Sequence, residues 1–134
     1  MSLYLDASAL LKRYVAESDS AACDRILRSD PSWITARHTW VEVTRNLYRL
    51  LEGSERGRLE KAFHSDWRHI NVVELDRDTC ERAADLAKAH PVRTLDALHL
   101  AAAQRVGGTT FPFVTYDVRQ AQAARALGFT VWGS

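Results

Sequence analysis

Little in this sequence is in excess, and its shortages set the first limits. Two cysteines, Cys23 and Cys80, stand in 134 residues. Both fall in helical patterns without metal-ligand spacing, so a disulfide scaffold and a zinc site are disfavoured, and free thiols in a reducing compartment are expected. The formal net charge is only +1. No global basic field is present, which speaks against passive nucleic-acid binding but little against an enzyme with a local patch. No apolar run nears membrane-spanning length, and a strand pattern opening at Leu3 leaves no room for a secretion signal. A cytoplasmic protein with no membrane association is expected. Repeats, linkers and low-complexity segments are missing as well. What remains, 46% hydrophobic and 26% charged residues, is ordinary for a globular chain with a real core, and one domain over residues 1–134 is expected.

The informative stretch is the first. Leu3-Tyr4-Leu5 is a short apolar run that meets Asp6 and turns at once into a helical pattern through Leu10, Leu11, Tyr14 and Val15. That places Asp6 at the carboxyl end of a strand, where open α/β sheets put their ligands. The arrangement returns at Phe111–Thr115, followed by Tyr116-Asp117 and another helical pattern. Between them the spacing predicts a helix from about Ser8 to Glu17. A second, for which Ser18-Asp19-Ser20 supplies cap residues, stops before Asp30-Pro31. A strand at Trp33–Ala36 precedes a helical hairpin over residues 37–69, whose second helix is capped by Ser54. A strand at Val72–Leu75 leads to a helix opened by an Asp78/Glu81 capping box and ended at Pro91. A helix capped by Thr94 runs from Leu95 to Val106, stopped by Gly107-Gly108. The last strand is Thr130–Trp132. Strands alternating with helices imply a parallel sheet covered on both faces.

Glu42 and Asp96 lie in two of these helices. Singly, each acid has a plain explanation. Asp6 and Asp117 precede helices, as N-caps do, and Asp96 complements a helix dipole in its first turn. Glu42 has Arg45 and Asn46 within one turn, as a solvated ion pair would. Position changes the weighing. Asp6 and Asp117 end two different strands, so both can project over the same edge of a parallel sheet. Asp96 lies in an alanine-rich helix suited to close packing, with His99 on its face at i+3. Ser8 and Thr115 supply hydroxyls beside these acids. Clustered carboxylates would lose their charge unless a cation joined them, and a hard divalent ion with oxygen ligands is the natural partner.

The segments Leu5-Asp6-Ala7-Ser8-Ala9-Leu10-Leu11-Lys12, then Glu42, then Arg93–Ala101 (RTLDALHLA), then Thr115-Tyr116-Asp117 resemble PIN-domain ribonucleases, in particular the VapC-type toxins of type II toxin–antitoxin pairs. The resemblance extends over essentially the whole chain. It implies a three-layer α/β/α fold with a five-stranded parallel sheet and a helical hairpin. It implies a Mg²⁺ (or Mn²⁺) pocket at Asp6, Glu42, Asp96 and Asp117, with Thr115 assisting. It also implies RNA as substrate, a VapB-like antitoxin as partner and a homodimer. Val118 and Arg119 follow Asp117, so an acid that some relatives carry there is missing, and the count of ions stays open at one or two.

The chemistry expected is metal-assisted hydrolysis of an RNA phosphodiester, with Glu42 ligating through water or acting as base. Four further candidates have two readings each. His99 either touches substrate or is a satisfied core histidine. Arg45 and Arg49, at i+3 and i+7 from Glu42, either meet flanking phosphates or are surface charge. Ser8 orients a carboxylate or a bound water. Competing functions fare worse. An aspartyl-phosphate enzyme wants an acid where Ser8 stands, and a receiver domain wants paired acids and a late strand-end lysine. A non-catalytic RNA- or partner-binding domain is the alternative that cleavage assays separate.

Overall fold

A computed structural model describes residues 1–134. Five short strands, β1 (Leu3–Leu5), β2 (Trp33–Ala36), β3 (Asn71–Val73), β4 (Phe113–Thr115) and β5 (Val131–Gly133), form one parallel sheet in the order β3-β2-β1-β4-β5. Seven helices cover it: α1 (Ala7–Leu11), α2 (Ser20–Arg28), α3 (Thr39–Leu50), α4 (Gly53–Trp67), α5 (Arg77–Ala89), α6 (Thr94–Val106) and α7 (Val118–Ala126). The three-layer α/β/α architecture expected from the alternation is the one observed. None of the helices is long and apolar enough to cross a membrane.

The period-two pattern of the strands divides the core. Leu3, Leu5 and Val114 face α1–α4, joining Leu10, Val43, Leu47 and Phe63. Tyr4 and Phe113 face the other way, into a layer with Leu100, Ala101 and Ala124 from α6 and α7. The chain leaves β1 toward β2 and β3, then returns to β4 on the opposite side of β1. The switch point of this doubly wound sheet therefore lies between β1 and β4, the two strands that lead into Asp6 and Asp117.

Several boundaries differ from the sequence expectation, and partners outside the helix or a left-handed glycine account for those at α1, α2 and α4. Helix α1 ends at Leu11 rather than Glu17. The next amides fold back on Leu10 and Leu11 carbonyls, while Tyr14 is held by a 2.6 Å bond from its hydroxyl to Asp66 on α4. Asp19 does not cap α2, because its carboxylate is taken by Lys12 at 2.8 Å. Helix α4 starts at Gly53, in the left-handed region (φ +62°), so Ser54 lies inside it. Across that turn Arg56 donates to the carbonyls of Leu51 and Tyr48, satisfying the carboxyl end of α3. Asp76, not Asp78, caps α5 by accepting from the Thr79 N–H, and Thr94 is already the first residue of α6. Strands β3 and β4 are shorter than expected, and β5 is set one residue later.

Candidate active site

Over the carboxyl ends of β1 and β4 lies a cleft of about 220 Å³. Asp6, Ser8, Glu42, Asn46, Arg93, Asp96, His99 and Asp117 line it, with Ala7 and Leu11. Acids separated by up to 111 positions in the sequence thus share one small volume.

Asp6 is 3% exposed. Its Oδ1 accepts from the Ala9 N–H at 3.1 Å, capping α1, and from the Ser8 hydroxyl at 2.6 Å. Its Oδ2 accepts from the Thr115 hydroxyl at 2.5 Å. Those hydroxyls are themselves anchored: Ser8 Oγ accepts from the Tyr116 N–H, and Thr115 Oγ1 from the Asp117 N–H. Ser8 and Thr115 therefore bind the ends of β1 and β4 together and aim the Asp6 carboxylate. Burial lifts the Asp6 carboxyl above the ordinary range despite nearby His99 and the three hydrogen bonds.

Asp117 caps α7 through Oδ1, which accepts from the Gln120 N–H at 2.9 Å. Its Oδ2 meets the Arg93 guanidinium at 3.2 Å. Capping and clustering are thus compatible, since each acid has two oxygens. Asp96 sits in the first turn of α6. Its Oδ2 is buried without a hydrogen-bond partner, and Arg93 Nε stands 3.6 Å away. Burial, then the charge of Asp117, raises the Asp96 carboxyl, with Arg93 opposing.

Glu42, in the first turn of α3, is not solvated with Arg45. Its Oε1 accepts from His99 Nε2 at 2.8 Å, and burial raises its carboxyl. His99 is enclosed in the core, its Nδ1 2.9 Å from the Tyr4 hydroxyl. His38, one turn before Glu42, packs its ring 4.1 Å from that of His99 and donates from Nε2 to the Leu95 carbonyl. Burial pushes both imidazoles down to about 4, with His99 adding to the effect on His38, so both are neutral near pH 7.

Arg45 and Arg49 lie outside the cleft, Arg49 donating to the Asn46 side chain at 2.9 Å. The cation that does stand among the acids is Arg93. Asn46 lines the cleft and His38 backs it, neither of them picked from sequence. The i±4 spacing from Glu42 was the signal available for both.

The oxygen set fits a hard divalent cation. Asp96 Oδ2 is an orphaned buried acceptor, and three neighbouring carboxyls are held above their ordinary values by burial, so a dication would relieve both conditions. Donor atoms of His38, Glu42 and His99 also lie within 4.8 Å of one another. Both Nε2 atoms are already engaged in hydrogen bonds, however, so this trio does not form a ready nitrogen-ligand site.

Comparison with known proteins agrees with this architecture. Residues 3–126 match the family model described as the PIN domain. "Ribonuclease VapC46" of Mycobacterium tuberculosis (strain ATCC 25618 / H37Rv) is 36% identical over 130 residues, covering 97% of this chain and 95% of that protein. The crystal structure of Mycobacterium tuberculosis VapC20, described as a sarcin–ricin loop cleaving toxin, aligns with a TM-score of 0.73 at 18% identity, over 96% of both chains. A chain of a toxin–antitoxin complex from Klebsiella pneumoniae aligns with a TM-score of 0.68 at 18% identity, over 90% of this chain and 89% of that one. At such identities the structural likenesses show the fold.

Proposed function

Because the chain belongs to the PIN-domain family, in its VapC branch, we propose that it is an endoribonuclease, the toxin of a type II toxin–antitoxin pair, hydrolysing RNA phosphodiester bonds with Mg²⁺ or Mn²⁺. The observation that carries the reading is the meeting of Asp6, Glu42, Asp96 and Asp117 in one cleft at the β1/β4 switch point. In this reading Asp6, Asp96 and Asp117 hold one or two ions. When bound, such an ion neutralises charge on the scissile phosphate and makes hydroxide available near neutral pH. Ser8 and Thr115 keep the Asp6 carboxylate aimed by the hydrogen bonds above, and Glu42 orients the attacking water or takes its proton. Arg93, at the mouth of the cleft, offers a guanidinium to a flanking phosphate.

A VapB-like antitoxin as protein partner follows from the VapC branch and is supported by the complex from Klebsiella pneumoniae. One PIN domain over residues 1–134, a homodimer and a cytoplasmic location complete the reading. The test is cleavage of a panel of transfer, ribosomal and messenger RNAs. Cutting should require Mg²⁺ or Mn²⁺, stop with EDTA and be lost in Asp6→Asn. Cleavage unaffected by EDTA or by Asp6→Asn overturns the metal-site assignment. RNA binding without cleavage at any divalent-ion concentration returns the non-catalytic alternative.

A further inference from the structure

The cleft accounts for Asp6, Asp96 and Asp117 through their own surroundings, but Glu42 is held from behind. Tyr4 lies on the central strand β1 with its ring stacked on Phe113, fully enclosed. Its hydroxyl is 2.9 Å from His99 Nδ1, with the Ala36 backbone N–H as a second neighbour. His99 Nε2 is 2.8 Å from Glu42 Oε1. A carboxylate can only accept, so Nε2 carries the proton, and the neutral ring then leaves Nδ1 free to accept from the phenol. Every bond in the row has a fixed direction: Tyr4 O–H to His99 Nδ1, His99 Nε2–H to Glu42 Oε1.

His38 does not compete for that oxygen. Its Nε2 donates to the Leu95 carbonyl at 3.0 Å and stands 3.6 Å from Glu42 Oε1. Glu42 Oε2 accepts no protein hydrogen bond and is not enclosed, in a side chain that lines the cleft.

We infer that Tyr4 and His99 are positioning residues for the reaction, a buried hydrogen-bonded row that locks Glu42 Oε1 and leaves Oε2 as the one oxygen presented to substrate. The inference deepens the nuclease reading and depends on it for its catalytic part. The arrangement resembles the way buried partners orient a ligand carboxylate or imidazole elsewhere, where their loss costs about 10- to 100-fold in activity or metal affinity. His99 thereby acts through Glu42 and touches no substrate.

Two isosteres separate this role from mere packing. In His99→Gln the side-chain amide reaches the place of Nε2 and still donates to Glu42. In His99→Asn the amide reaches only the place of Nδ1, keeping Tyr4 and losing Glu42. With a cleavable RNA, His99→Gln should keep most of kcat, whereas His99→Asn should lose about 10- to 100-fold of it with KM nearly unchanged. Equal rates in the two variants, or rates that simply follow their melting temperatures, overturn the inference. Long-range ¹H–¹⁵N correlation spectra of the wild-type protein give a readout independent of cleavage. His99 should be on the Nε2–H tautomer and keep it in Tyr4→Phe, where the Glu42 carboxylate still demands that proton, whereas Glu42→Gln, whose amide can accept or donate, should release it into a mixture. An Nδ1–H tautomer in the wild-type protein refutes the row whatever the activity. Failure of the wild-type protein to cut any RNA counts against the nuclease reading, and the tautomer then decides the row by itself.

Discussion

Two substitutions that should both abolish cleavage are expected to move stability in opposite directions. Asp96→Asn removes a charge whose Oδ2 is buried without a partner and whose neighbours Asp117 and Glu42 repel it. A buried polar atom left unsatisfied costs about 1–3 kcal/mol. The Asp96 side of the Arg93 pair, at 3.6 Å and largely exposed on the arginine, returns at most about 1 kcal/mol when lost. The new amide can turn its oxygen to Arg93 and its N–H groups to the neighbouring carboxylates. In metal-free protein the net gain is therefore about 1 kcal/mol. Unfolding entropy near 2.1 cal/mol/K per residue makes that about 4 °C in Tm for a chain of this length.

Asp6→Asn is the reverse case. Both carboxylate oxygens accept hydrogen bonds, from Ser8, Ala9 and Thr115. An amide N–H₂ must then face a hydroxyl that was donating, and bonds to a charged acceptor, worth about 1.5–3 kcal/mol each, are weakened. Asp6→Asn should melt below the wild-type protein. Differential scanning calorimetry in EDTA, then in Mg²⁺, measures both effects. Saturating Mg²⁺ at about 100 times Kd should raise the wild-type Tm by about 10 °C, from about 2.7 kcal/mol of binding linkage, and should leave Asp96→Asn nearly unmoved. A metal-free Asp96→Asn that melts below the wild-type protein, or that gains from Mg²⁺ as the wild type does, refutes the account of the cluster.

Two further outcomes follow from the same geometry. The His38 imidazole is depressed from 6.5 to about 4, so the stability it contributes is complete above its unfolded value and is lost as pH falls through that interval. The advantage of the wild-type protein over His38→Gln in urea denaturation should therefore shrink as pH is lowered from about 6.5 to about 4. Arg93 is 71% exposed and lies between Asp96 and Asp117, where a dication would compete with it. Arg93→Gln should tighten Mn²⁺ binding, read by calorimetric titration, lower metal-free stability by no more than about 1 kcal/mol, and raise the KM for RNA.

The sequence by itself determined the layers and the order of elements. Short continuous apolar runs such as Leu3-Tyr4-Leu5 and amphipathic helices such as α3 and α5 are local properties, and their alternation admits little besides a covered parallel sheet. It also placed Asp6 and Asp117 at strand ends, because the apolar run and the following helix pattern are both legible from a dozen residues. Ends of elements were less legible, since long-range partners set them: Lys12 takes Asp19 from its cap, and Asp66 on α4 holds Tyr14 beyond the end of α1. Apart from Ser8 and Thr115, whose hydroxyls the sequence already set beside the acids, the neighbours of the acids belonged to the tertiary structure. Glu42 looked like one member of a solvated pair with Arg45 until α6 brought His99 against it, and Arg93 became the cation of the cleft only when α6 and α7 met. Spacing along a chain reports which face of its own element a side chain occupies. Which other element covers that face is decided by the packing of the whole sheet, and there the roles of His99, Arg93 and Asn46 were fixed.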